Sequence, residues 1–130
     1  MSAPNRIFLL TLALLFVQVL FGQSAKIDSL RSFLTSSKDT QQVNLLNTIA
    51  NAYLTLSDPD HAMSYAEKAR EASIDIDYYS GAGRSLLTQG KAMDLKGSYD
   101  SAIIYFNQAI PFLEPAADIN DRASCYQSLA

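Results

Sequence analysis

The sequence predicts an all-α protein built from stacked antiparallel helix hairpins, and three observations lead to this fold class. Apolar residues recur three and four positions apart along much of the chain, which is the spacing of one helix face. No segment shows the alternation of apolar and polar residues that indicates a half-buried strand. Small residues recur at matched positions forty residues apart, and a fixed period of this kind is typical of repeat architectures.

The repeated unit is visible when residues 43–73 are aligned with residues 83–113. The matched pairs at this offset are Leu46/Leu86, Ala50/Gly90, Tyr53/Met93, Ala62/Ala102, Tyr65/Tyr105 and Ala69/Ala109. The same offset places the start of a third copy at Ala123, of which the printed sequence contains eight residues. We therefore expect about two and a half repeats, with the array truncated at the C-terminus.

Each copy divides into two helical patterns joined by a short break. In the first copy, Asp39 followed by Gln42 predicts a capping box at the start of the first helix. Asp58 and Pro59 predict the start of the second helix, because Asp caps well and Pro suits the first helical position. We expect this second helix to run to about Ser73.

The second copy carries corresponding signals. Ser80 and Gly81 are expected to open its first helix, and Gly97 is expected to end it. Ser98 is placed to cap the next helix. Pro111 predicts that this later helix ends or kinks just before it, because proline removes a backbone donor.

The breaks between helices are too short for any arrangement except antiparallel hairpins. A hairpin alone cannot bury its apolar face, so successive hairpins are expected to stack. The small residues then mark the places where neighbouring backbones approach most closely. These places are Ala62, Ala69, Ala102 and Ala109 on the second helices, and Ala50 and Gly90 on the first helices.

The first 25 residues have the order of a secretory signal peptide. Arg6 provides a positive charge, the run 7–21 is mostly apolar, and small residues follow at Gly22, Ser24 and Ala25. The apolar run is shorter than the roughly 18–20 residues that a spanning helix needs. We predict a signal peptide over 1–25, with an uncleaved anchor as the alternative. Either role places the rest of the chain in the periplasm, on the outer face of the inner membrane, or outside the cell.

A further amphipathic segment precedes the first repeat. Ile27, Leu30, Phe33 and Leu34 have helical spacing and predict an N-terminal capping helix. The predicted organisation is a signal peptide at 1–25, a capping helix at 26–38, and a repeat domain at 39–130 that contains repeat 1 at 43–76, repeat 2 at 83–116 and the start of repeat 3 at 123–130.

These small and aromatic positions resemble the tetratricopeptide repeat (TPR). Copy two matches the family pattern at Leu86, Gly90, Met93, Gly97, Tyr99, Ala102, Phe106 and Ala109. Copy one has Ala66 where the second aromatic belongs, and Gln89 in copy two stands where an apolar residue is usual. The resemblance implies a TPR-like α-α superhelix that binds a protein or peptide and has no catalysis of its own.

The signal peptide and the capping helix add a narrower resemblance. Together with the repeats they look like the exported N-terminal sensory regions of bacterial membrane sensor kinases and transcriptional regulators. This resemblance implies a role in signal transduction, with a membrane span and an output domain further along the chain. In this chain itself, contact with a membrane is expected only through the signal peptide or such a downstream span.

The resemblance also implies which side chains line the concave surface, since the first helix of each hairpin faces it. The predicted peptide-binding residues are Asn44, Asn47, Asn51, Arg84, Lys91 and Gln127. Amide side chains donate and accept hydrogen bonds, which suits a peptide backbone, and the two cations suit an acidic group. An ordinary solvated helix face is the alternative.

Other function classes are not indicated by the sequence. A net charge of −3 gives no electrostatic footprint for nucleic acid. The single histidine, His61, follows Asp58 and Asp60 at a helix start, where capping explains the carboxylates better than a metal does. We expect no catalytic, cofactor-binding or metal-binding residue. The single cysteine, Cys125, is expected to pack in the core, with a reactive thiol as the alternative.

The last predicted helix presents apolar residues without a partner helix. Tyr126, Leu129 and Ala130 belong to the face that the missing half of the third hairpin would cover. Terminal repeats normally carry a polar outer face. We therefore expect marginal stability or self-association through this end.

Overall fold

The computed structural model describes residues 3–34, 39–113 and 119–130, and these ranges form six helices without a strand. The helices are α1 (Ala3–Leu34), α2 (Thr40–Thr55), α3 (Pro59–Asp75), α4 (Tyr79–Leu95), α5 (Tyr99–Leu113) and α6 (Ile119–Leu129). The predicted all-α fold class is confirmed. Residues 35–38, at the end of the predicted capping helix, and residues 114–116, at the end of the predicted repeat 2, lie outside the described ranges.

Each helix packs on the next one in the chain, from α1 to α6. The pairs α2/α3 and α4/α5 are the two predicted hairpins. In addition, α2 packs on α4, and α4 contacts α6. The first helices of successive hairpins are therefore neighbours, and they form one wall of the stack.

One turn geometry occurs three times, at intervals of twenty residues. Ser57, Asp77 and Gly97 each have positive φ, at 57°, 53° and 75°. In each turn the next residue donates its N–H to a carbonyl five residues earlier, for example from Asp58 to Tyr53 at 2.9 Å. This hydrogen bond is typical of a helix C-terminus that is closed by one residue in the left-handed (αL) conformation. The turn within each hairpin and the turn between hairpins are therefore equivalent.

The predicted cap at Asp58 is confirmed. Its Oδ1 accepts from the backbone N–H of His61 at 3.2 Å, and Pro59 is the first residue of α3. The predicted capping box at Asp39 is wrong, because its side chain makes no capping hydrogen bond. Asp39 has φ 61° and ψ −136°, which is not the extended backbone from which an N-cap side chain reaches the first turn.

The sequence predicted that α5 ends or kinks just before Pro111. An end there is wrong, because the helix continues to Leu113. Proline removes one backbone hydrogen bond, and packing of the last turn outweighs this loss. Leu113 is fully buried. It lies so close to Gly83 on α4 that a Cβ there would be 2.7 Å from the Leu113 Cγ.

The predicted close approaches between helices are present. Ala62, Ala69, Ala102 and Ala109 are all buried. At Gly90, an added Cβ would lie 2.4 Å from the Phe106 Cε1 atom. The ring therefore occupies the space that a side chain at position 90 would need.

Two features of the core involve polar or reactive groups. Cys125 is buried among apolar residues of α4 and α5, and this burial raises the pKa of its thiol to about 11. The thiol is therefore protonated near neutral pH, which favours the core role over a reactive one. Gln89 is 1% exposed, and its Oε1 has no hydrogen-bond partner among the described residues.

Helix α1 has two parts that differ in their contacts. From Asn5 to Gly22 every side chain is exposed, whereas Ile27 is buried and Leu30 is half-buried where α1 packs on α2. The segment Asn5–Leu34 is long and apolar enough to cross a membrane, with a mean hydropathy of 2.1. A signal sequence has the same properties.

The last helix leaves part of its apolar surface uncovered. Tyr126 is 52% exposed and Leu129 is half-buried. Self-association through this surface stays a prediction.

The repeated turn gives a pair of substitutions with opposite expected signs. Asp77→Gly relieves a positive φ and should raise the free energy of unfolding by about 0.5 kcal/mol. Gly97→Ala introduces the same strain, although its Cβ would meet no atom within 4 Å, and should lower that free energy by about 1 kcal/mol. Urea denaturation of the full chain followed by circular dichroism measures both. Shifts in the same direction would contradict the common geometry.

Candidate functional site

A groove of about 370 Å³ runs along the wall made by α2, α4 and the start of α6. Five of the six predicted peptide-binding residues line it, namely Asn44, Asn47, Asn51, Arg84 and Lys91. They lie together because α2 and α4 pack side by side, and because spacings of three, four and seven keep residues on one helix face. Gln127 is exposed on α6 but does not line the groove.

Asn47 is a structural link between the two hairpins. It is only 3% exposed. Its Nδ2 donates to the Gly81 carbonyl at 3.1 Å, and its Oδ1 accepts from the Ser85 hydroxyl at 3.0 Å. Both ends of this amide are therefore bound to α4, and a direct role in ligand binding stays a prediction.

Asn44 and Asn51 are exposed and are only partly engaged. The Oδ1 of Asn44 accepts from the Tyr78 hydroxyl at 3.2 Å. The Oδ1 of Asn51 is 3.4 Å from the Thr88 hydroxyl. Neither amide nitrogen has a partner among the described residues. Because the two positions are seven residues apart in the sequence, their side chains are about 10 Å apart along the helix axis.

Arg84 already has an acidic partner within the chain. Its Nε donates to the Asp121 carboxylate on α6 at 2.9 Å. Sequence analysis did not identify Asp121 or its neighbour Asn120 as groove residues. No local signal in the sequence identifies them, since Asp121 lies 37 residues from its partner and in the first turn of α6.

Lys91 is the cation of the groove that remains unpaired. It is half-buried, and it makes no hydrogen bond or ion pair with the residues that the structure describes. Its positive charge opposes the effect of burial on the pKa of Cys125. The groove thus contains the ion-paired Arg84, the ammonium of Lys91, and two amide donors from Asn44 and Asn51.

The groove continues past α2 toward α1. A second depression of about 360 Å³ shares Thr48 and Asn51 with the first. Its far side is made by Gln23 and Lys26 of α1. The continuous surface therefore crosses α6, α4, α2 and α1, which is long enough for an extended segment of several residues.

The region around His61 contains three stacked aromatic rings. Tyr53 stacks on His61 with ring centroids 5.0 Å apart, and on Tyr65 with centroids 5.5 Å apart. The Oδ2 atom of Asp58 lies at hydrogen-bond distance, 2.8 Å, from the Nδ1 atom of His61. In the part of the chain that the structure describes, no three His, Cys, Asp or Glu side chains are grouped to hold a metal ion.

The comparison with protein families agrees with the architecture. Residues 43–73 match the family model described as Tetratricopeptide repeat, and this range covers most of α2 and nearly all of α3. No curated protein and no solved structure matches the chain. The matched hairpin, the second hairpin at the same register and the helical stack together make this an all-α, TPR-like repeat fold.

The contacts of Asn47 predict an effect on stability. Asn47→Ala removes two buried hydrogen bonds between α2 and α4 and should lower the free energy of unfolding by about 2 kcal/mol. Asn44→Ala, on the exposed side of the same helix, should change it by less than about 0.5 kcal/mol. Urea denaturation of both variants is the measurement. An Asn47→Ala variant as stable as Asn44→Ala would refute the structural role.

Proposed function

We propose that this chain is an exported, non-catalytic interaction module that binds an extended peptide segment of another protein in the groove across α2 and α4. TPR repeats generally mediate protein interactions and are generally not catalytic, and the family match supports that general role. The observation that carries the proposal is the set of unpaired donors in the groove. These are the amide nitrogens of Asn44 and Asn51 and the ammonium of Lys91.

A donor-rich groove complements a segment that is rich in free acceptors. In helices and sheets the backbone carbonyls are already bonded, whereas an extended segment leaves its carbonyls open. The amides of Asn44 and Asn51 suit such carbonyls, and Lys91 suits an acidic side chain nearby. The partner segment is therefore expected to be extended and to carry an acidic residue.

Export is the second part of the proposal. The apolar part of α1 makes no contact that would keep it in the folded domain, since all its side chains are exposed. Its small residues Gly22, Ser24 and Ala25 are exposed and precede the buried Ile27, so cleavage near Ser24 would leave the stretch of α1 around Ile27 in place. This arrangement is compatible with a removable leader, which would release the module into the periplasm or beyond.

A second candidate function is the N-terminal sensory part of a transmembrane histidine kinase or transcriptional regulator. The observation that favours it is the continuity of α1 from Ala3 to Leu34. If α1 stays in the membrane as an anchor, the same helix that holds the anchor packs on α2 and borders the groove through Lys26. Ligand binding would then take place directly beside the membrane.

The peptide groove is tested with a random dodecapeptide library displayed on phage and selected against the full chain. The combined Asn44→Ala and Asn51→Ala substitutions should weaken the selected peptide at least tenfold, since each removes one hydrogen bond of about 1 kcal/mol. Lys91→Gln should weaken binding in a salt-dependent manner. Fluorescence anisotropy of the labelled peptide measures these affinities.

The matched control for this experiment is Asn107→Ala, which removes an exposed amide from α5, outside the groove. This variant should bind the selected peptide as the original chain does. Peptides whose affinity depends on Asn107 and is unchanged by the groove substitutions would rule out the proposed site.

Export is tested by sequencing the N-terminus of the protein recovered from a bacterial host after cell fractionation. A removed leader should give an N-terminus at Gln23, Ala25 or Lys26 in the periplasmic or extracellular fraction. An intact N-terminus in the membrane fraction would support the anchored alternative. Recovery of the intact chain in the cytosol would count against both.

A further inference from the structure

A separate groove, of about 400 Å³, lies on another face of the stack, between the second helices of the two hairpins and over α4. Its lining includes Arg70 and Ile74 of α3, Leu86 of α4, and Gln108, Pro111 and Phe112 of α5. We call it the Arg70 groove. It shares no lining residue with the peptide groove.

The walls of the Arg70 groove are mostly apolar and are open to solvent. Ile74 lines the groove and is 56% exposed. Phe112 is half-buried, and its ring lies 6.2 Å from that of Tyr79, which is 55% exposed. Covering an apolar surface of this kind with a ligand removes it from water, which lowers the free energy.

Arg70 is a charged group without a counterion in this apolar setting. Its Nε is buried and has no hydrogen-bond partner. Its guanidinium makes no hydrogen bond or ion pair with any described residue, including Glu67 and Glu71 on the same helix. A guanidinium that has lost part of its hydration without gaining an acceptor is unfavourable, and a bound anion would relieve that cost.

We propose that the Arg70 groove is a binding site for a small hydrophobic carboxylic acid. The carboxylate would accept two hydrogen bonds from the Nη atoms of Arg70 in the bidentate geometry that guanidinium favours. The apolar body would lie against Ile74, Leu86 and Phe112. The volume of the groove is near the lower end of the range for small-molecule sites, which limits the ligand to about two aromatic rings or a medium-length chain.

The charge of the site discriminates between classes of ligand. A neutral apolar compound of the same shape would cover the walls but leave Arg70 unpaired. A cation would be repelled, because Arg70 is the only ionisable side chain among the described residues that line the groove. The acid is therefore the class that satisfies both the apolar walls and the guanidinium.

The experiment uses 4-benzoylbenzoate, an aromatic acid that cross-links to nearby C–H groups under light, with the full chain in an uncharged detergent. The neutral 4-benzoylbenzamide is the matched probe of the same shape. Mass spectrometry of the digested protein locates and quantifies the labelled residues. We expect saturable labelling on the segments that contain Ile74, Leu86 and Phe112, with half-saturation at least tenfold higher for the amide.

Three variants separate the site from general hydrophobic labelling. Arg70→Gln should abolish the preference for the acid over the amide. Lys68→Gln removes the same charge from the same helix, where the ammonium lies over the Tyr65 ring at 5.2 Å, outside the groove, and should leave labelling unchanged. Ile74→Glu alters an exposed residue, so folding should survive, and should reduce labelling by the acid through charge repulsion.

Equal labelling by the acid and the amide would overturn the proposal, as would labelling that persists in the Ile74→Glu variant. Labelling confined to α1 or to the peptide groove would also overturn it. Peptide binding is measured separately, and the substitutions at Asn44 and Asn51 should not affect labelling here. The failure of one site is therefore distinguishable from the failure of the other.

Discussion

The stack depends on close backbone approach at the first turn of its internal helices. Ala62, Ala82 and Ala102 are twenty residues apart, and all three are buried. Each donates its N–H to the carbonyl of the residue just before its helix, at 3.0–3.2 Å. A larger side chain at any of these positions would separate helices whose spacing is set by the residues in contact. The forty-residue repeat therefore consists of two twenty-residue units that share one turn and one packing position.

The two hairpins satisfy this constraint with side chains of different size. Copy one has Ala50 and Ala66 where copy two has Gly90 and Phe106, so the loss of a large ring is accompanied by a larger residue on the first helix. The junction between the hairpins also tolerates polar groups. Asn47 is satisfied by α4, whereas the buried Oε1 of Gln89 has no hydrogen-bond partner among the described residues.

Sequence periodicity was sufficient to predict the helices, their hairpin pairing and the face that lines the groove, because these follow from local spacing and from small residues in register. It was not sufficient to show how the groove residues are used. Asn47 and Asn51 look equivalent in the sequence. In the structure, Asn47 is buried and hydrogen-bonded to Gly81 and Ser85, whereas Asn51 is exposed. The pairing of Arg84 with Asp121 likewise depends on contacts between repeats. Packing of Leu113 overrode the local signal of Pro111.

The same stacking explains why the two faces offer different chemistry. First helices lie side by side, so their polar side chains bond across the repeat boundary, and this uses oxygen acceptors while leaving the nitrogens of Asn44 and Asn51 free. The second helices α3 and α5 border the Arg70 groove over α4, and no described residue of its mostly apolar lining, Gln108 included, accepts a hydrogen bond from the guanidinium. A donor-rich groove favours the carbonyls of a peptide, and an unpaired cation among apolar walls favours a compact acid. The proposed peptide and the proposed acid would therefore not compete for the same surface, because the two grooves share no lining residue among those that the structure describes.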